Sequence, residues 1–133
     1  MKKLSYLLVL IVVTFLSVTC SSNKRTLQRG DYYNATMGAI KTLRSNPNSK
    51  KSIEVLQQAY PLAIENSMRK IQNALDADVA GKYSIIADEY LVLNAIADAI
   101  YTCPKAMDLF PRPEQYSKEL REILPLAFEE SYN

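Results

Sequence analysis

From Tyr32 to Phe128 the apolar residues recur three and four places apart, and this interval constrains the chain more than any other feature. It follows the helical turn, whereas a half-buried strand would alternate at every second residue, and no segment does so. Glycine stands only at positions 30, 38 and 81, too sparse to interrupt long helices. The spacing predicts an all-α fold of about four helices joined as antiparallel hairpins.

The first helix is predicted from Asp31 to about Ser45, with Tyr32, Ala35, Ala39, Ile40 and Leu43 inward. Asp31 is expected to cap it, because a short carboxylate accepts from an unpaired N–H of the first turn. Pro47 ends it, since a residue before proline is pushed out of helical angles. The second helix starts at Ser49 or Lys50. Its inward stripe reads Ile53, Leu56, Ala59, Tyr60, Ala63, Ile64, Met68, Ile71 and Leu75. Pro61 lies inside it. An interior proline deletes a backbone hydrogen bond and costs about 3 kcal/mol, so a bend or two consecutive helices is expected. The third helix is placed at Lys82–Thr102, with Tyr83, Ile86, Tyr90, Leu93, Ala97 and Ile100 inward, and is roughly 30 Å long at helical rise. The fourth is placed at Glu114–Glu130, with Tyr116, Leu120, Ile123, Leu124 and Phe128 inward.

The first nineteen residues are of another kind. Lys2 and Lys3 precede the ten-residue apolar run Leu7–Leu16, and Ser17-Val18-Thr19 leads to Cys20. This is the layout of a secretory signal, and the run is too short to span a bilayer of about 30 Å. Leu16-Ser17-Val18-Thr19-Cys20 resembles the lipobox of bacterial lipoproteins, in the loose form of the Bacteroidetes group. The leucine stands one place early, and Val18 and Thr19 are bulkier than usual. The resemblance implies cleavage before Cys20, a diacylglyceryl thioether on its sulfur and a further, palmitate-class chain on its new amine. Several acyl chains make a durable anchor where one is marginal. Ser21 follows Cys20 where an aspartate would signal inner-membrane retention, and no acidic surface-export stretch follows. By analogy the expected location is the outer membrane, facing the periplasm. The competing readings are an ordinary secretory signal with an incidental cysteine, and an uncleaved membrane helix. The domains expected are a signal peptide at 1–19, a lipidated polar tether at 20–27 and a helical domain at 28–133.

Charge is unevenly spread. From Lys24 to Lys70, nine Lys and Arg face only Asp31, Glu54 and Glu65, a balance of +6. From Asp76 to Glu130, five Lys and Arg face eleven Asp and Glu, a balance of −6. The basic half adjoins the anchor, where anionic headgroups attract it. Two solvated faces, or head-to-tail association of basic and acidic ends, account for the same pattern. Nucleic acid is not expected as a partner, because no basic face interleaved with aromatics runs through the chain.

Conventional catalytic constellations are missing. The chain has no histidine, so Ser-His-Asp and Cys-His arrangements and the common zinc sites do not arise. No phosphate-cradling glycine loop occurs. Asp76-Ala77-Asp78-Val79-Ala80-Gly81 starts like a calcium loop, but Ala80 and Ala87 stand where oxygen ligands belong, so it reads as a turn. Asp88 and Glu89 project about 100° apart on a helix and read as solvent-exposed. Cys103, with no disulfide partner if Cys20 carries lipid, is either a buried small hydrophobe or an unpaired thiol. No enzyme activity, cofactor or metal is expected.

The segment Gly30-Asp31-Tyr32-Tyr33-Asn34-Ala35, followed by Asn46-Pro47-Asn48, resembles the second helix of a tetratricopeptide repeat. That family places Gly-Asp-Tyr at the inter-helix turn, a small residue three places later (Ala35) and proline at the unit's end (Pro47). Ile53, Leu56 and Tyr60 then open the next unit, so the likeness covers residues 30–60. The chain departs from the pattern in three respects. The first helix of the first unit falls in the signal and tether, Pro61 and Leu75 continue a helix where a glycine turn belongs, and no second proline follows after about 34 residues. The resemblance implies a degenerate stack of one and a half units, and the chain looks like a short or truncated member of a group of longer envelope lipoproteins. Helical repeats present surfaces to protein partners. The function expected is therefore that of a lipid-anchored adaptor contacting a protein or peptide through Tyr33, Lys41 and Arg44. The alternatives are a small-ligand or carboxylate-based enzyme domain, and the N-terminal part of a longer lipoprotein.

Overall fold

A computed structural model describes residues 22–132. The signal segment and Cys20 lie outside the described residues. Six helices follow one another: α1 (residues 22–28), α2 (Tyr32–Ser45), α3 (Lys50–Asp76), α4 (Lys82–Tyr101), α5 (Pro104–Leu109) and α6 (Ser117–Tyr132). The all-α expectation holds. The four expected helices are α2, α3, α4 and α6, and α1 and α5 are additional. No helix among the described residues is long and apolar enough to cross a membrane.

Residues read as tether and turn form a closed joint. Gly30 N–H donates to Leu27 O at 3.0 Å and Asp31 N–H to Thr26 O at 3.1 Å. Gly30 has φ +80°, so this is a Schellman ending, in which a glycine in the left-handed region satisfies the last carbonyls of a helix. Asp31, the next residue, caps α2 by accepting from Asn34 N–H at 3.2 Å. A helix therefore does precede the Gly-Asp-Tyr turn, where the sequence pattern left none. It lies close to α2, since a Cβ at Gly38 would run into the Asn23 side chain.

Ser49 caps α3 through Ser52 N–H. Despite Pro61, α3 is one helix of 27 residues, which removes the two-helix alternative. Pro61 and Gln57, whose carbonyl loses its helical donor, are both exposed, so water can serve that oxygen. Pro125 in α6 follows the same rule, with Arg121 exposed one turn earlier.

Two hydrophobic cores result. The first joins α2, the first half of α3, the end of α4 and α5. Ala35, Ile40, Leu43, Leu56, Ile96, Ile100 and Cys103 lie at its centre, and Leu27 of α1 packs on its edge. The second is smaller, with Ile71, Ala74, Ile86, Leu93 and Tyr116 between distal α3, early α4 and the start of α6. Cys103 is an unpaired thiol buried in the first core, with Sγ 3.9 Å from Ile40 O. In distal α3 the buried face is Ala63, Ser67, Ile71 and Ala74, whereas Met68 and Leu75, expected inward, are exposed.

Candidate partner-binding surface

α4 and α6 form an antiparallel pair held at both ends. Near the start of α6, Tyr116 N–H donates to Asn94 Oδ1 at 2.7 Å. Near its end, Glu130 accepts from Gly81 N–H at 2.8 Å through Oε1 and from Tyr83 N–H at 3.0 Å through Oε2. Gly81, the N-cap residue of α4, has no side chain to satisfy those donors, so a carboxylate 49 residues away in sequence serves as the cap.

Between these clamps the pair is open. No residue of α6 is buried. Leu124 and Phe128, expected inward, are 45% and 65% exposed, and the Phe128 ring lies 4.8 Å from that of Tyr132. An open groove of about 280 Å³ runs between the helices. Its walls are Ser84, Ala87, Asp88 and Leu91 of α4, and Leu124, Ala127, Phe128 and Ser131 of α6. Each wall repeats the same i, i+3, i+4, i+7 spacing, which places four side chains on one helical face. Sequence reading missed the groove because the apolar face of α6 is broad. Ile123 and Ala127 are half-buried, and Leu124, Phe128 and Tyr132 continue past them to the open side. That excess apolar width was the available signal.

A second concavity, of about 270 Å³, lies between α1 and the start of α3. Lys24, Leu27 and Gln28 line one side, and Lys51, Glu54, Val55 and Gln58 the other.

No protein-family model, curated protein or solved structure matches this chain.

Of the residues expected to meet a partner, Lys41 and Arg44 lie one turn apart and exposed on α2, whereas Tyr33 is less accessible. Tyr33 is half-buried against the first core, as Tyr32 is, so it does not stand outward. Arg44 is exposed, but its guanidinium donates to Thr102 Oγ1 at 2.8 Å and to Ala99 O at 3.3 Å. It therefore satisfies the carbonyl end of α4, where positive charge also suits the helix dipole. Lys41 is exposed on α2.

The carboxylates considered for chemistry separate as well. Asp88 is exposed at the groove, while Glu89, expected in solvent, is 9% exposed and pairs with Lys70 Nζ at 2.9 Å. Asp78 pairs with Lys82 at 3.2 Å, one turn away. No group of three Cys, Asp or Glu side chains suited to a metal occurs among the described residues. The tyrosines mostly serve structure. Tyr60 meets Phe110 edge-on at 4.5 Å, and burial, then the nearby Glu114 charge, pushes its hydroxyl up. Tyr116 stacks on Tyr90 at 5.6 Å and donates to Glu114 Oε2 at 3.0 Å. Burial first, and that hydrogen bond second, push the Tyr116 hydroxyl up to about 12.

Proposed function

We propose that this chain is a lipid-anchored adaptor of the cell envelope, held by acyl chains on Cys20 and receiving a helix of a partner protein in the α4–α6 groove. The observation that carries the reading is the open groove between α4 and α6, where Leu91, Leu124 and Phe128 stand exposed on facing helices. Each wall spans two helical turns, about 10 Å, the span that successive side chains on one face of a third helix fill. The joint at Gly30-Asp31, with a helix now on both sides, supports a tetratricopeptide-like relation. Periplasmic exposure at the outer membrane is part of the same proposal.

Charge selects the occupant. Asp88 lines the groove, and the chain from Asp76 to Glu130 carries eleven acidic against five basic side chains. A second copy docked by the same face would bring a second Asp88 to the groove with no basic side chain in the lining to meet it, which is unfavourable. A partner helix with an apolar stripe and basic flanks suits the groove.

The test compares two synthetic amphipathic helices of identical pattern, one built of Leu and Lys and one of Leu and Glu. The expected result is at least tenfold tighter binding of the Lys helix, lost in a Leu91→Ser/Phe128→Ser double variant. Equal binding of both helices, or binding unaffected by the double variant, overturns the groove assignment. The anchor is checked separately: Cys20→Ser should move the protein from the membrane to the soluble fraction, and intact mass should show the acyl chains.

A further inference from the structure

We propose that the cleft between α1 and α3 is a binding site for the phosphate-bearing headgroup of an anionic membrane lipid. Lys24 and Lys51 stand on its opposite walls, and Leu27 and Val55 supply its apolar part. Two lysines lining one concavity from separate helices suit an anion held between them, since each ammonium group can donate to a different oxygen. Arg25 of α1 and Lys50 of α3 adjoin these lysines in the chain and Arg29 directly follows α1, against Asp31 and Glu54, so the balance of nearby charge is positive.

Size and position narrow the ligand. The cleft, of about 270 Å³, is large enough to take a phosphate-bearing headgroup while the tails stay outside. Lys24 follows Cys20 by four residues, a reach of at most about 14 Å along the chain. An anchor at Cys20 therefore keeps the cleft at the headgroup layer; in this respect the inference rests on the proposed function. Glu54, one helical turn from Lys51, is the opposing charge in the cleft. With Gln28 and Gln58 it offers acceptors to headgroup hydroxyls, which favours a phosphoglycerol over a bare phosphate.

The experiment uses the purified full chain in non-ionic detergent, with dihexanoyl-phosphatidylglycerol as the probe and dihexanoyl-phosphatidylcholine and inorganic phosphate as comparisons. The readout is the acylation rate of each lysine, measured by peptide mass spectrometry. Phosphatidylglycerol should slow Lys24 and Lys51 at least threefold and leave Lys105 and Lys118 unchanged, while the other two compounds do little. Binding of the probe itself, followed in the variants by titration calorimetry, should be abolished by Lys24→Gln/Lys51→Gln, tightened by Glu54→Gln and left unchanged by the charge-matched Arg69→Gln/Arg112→Gln. Equal protection by phosphatidylcholine or by inorganic phosphate overturns the proposal. So does an equal loss of binding in the charge-matched variant, which would reduce the effect to net charge. Because the probe is a dispersed lipid, these results do not depend on acylation at Cys20, and intact mass reports that separately.

Discussion

At the α1–α2–α3 end, the amphipathic helices bury their apolar faces against one another and close with α5 and the end of α4. At the α4–α6 end, the hairpin is held by hydrogen bonds at its two extremities while α6 buries none of its residues. In the first region fully buried residues such as Ile40, Leu43 and Leu56 hold the helices together. In the second, the smaller core, with Ile123 of α6 packed against it, is joined by directional polar contacts at both ends, and the rest of the apolar side of α6 remains partly in water. The contrast separates the part of the molecule that stabilises the fold from the part that leaves apolar surface open. A covered stripe stabilises the fold, whereas the exposed side chains of α6 remain apolar surface in contact with water.

Truncations on the two sides put this contrast to its strongest test. Leu56→Ala removes a fully buried side chain and should cost about 2–5 kcal/mol, whereas Phe128→Ser should change stability by less than about 0.5 kcal/mol. Urea unfolding of both variants decides the matter, and comparable losses would erase the distinction between the two ends.

A smaller effect is expected at the clamp. Glu130→Ala leaves the Gly81 and Tyr83 N–H groups without their acceptor and should cost about 1 kcal/mol, as the loss of a helix cap does. Hydrogen exchange at those two amides should accelerate, while amides of α2 keep their protection. Should α2 amides quicken equally, the two regions unfold as one unit.

The smallest effect concerns pH. The Tyr116 hydroxyl is raised from its ordinary value of 10.0 to about 12, so the folded chain holds this proton more tightly than the unfolded chain does. Its contribution is complete below pH 10 and is lost as pH rises through about 12. Tyr116→Phe keeps the ring stack on Tyr90 and should flatten the stability curve over that window relative to the parent. Parallel curves, followed by circular dichroism against denaturant, would remove Tyr116 from the account of this end.

Much of the fold was legible because its signals are local. The cap at Asp31, the stop at Pro47, the start at Ser49 and the inward stripe of α2 depend on residues within about a turn of one another. The candidate surfaces were not legible in the same way. Tyr33 and Arg44 carry the chemistry of partner contacts, but one settles against the core and the other on the end of α4. Glu89 reads as solvated until Lys70, 19 residues earlier in the chain, arrives beside it. The role of Glu130 as the cap of α4 leaves no trace in the spacing of α6.

Local signals in the chain were enough to read it as helical and to place its four long helices. Backbone hydrogen bonds within a helix join near neighbours, and caps and breakers act over the same distance. Which flank of a broad apolar face is covered, as in α6, and the position of α1 beside α2, where it frames a cleft with α3, came from packing between helices. Those outcomes depend on residues far apart in the chain and on how closely two helices can approach, and neither is written within a helical turn.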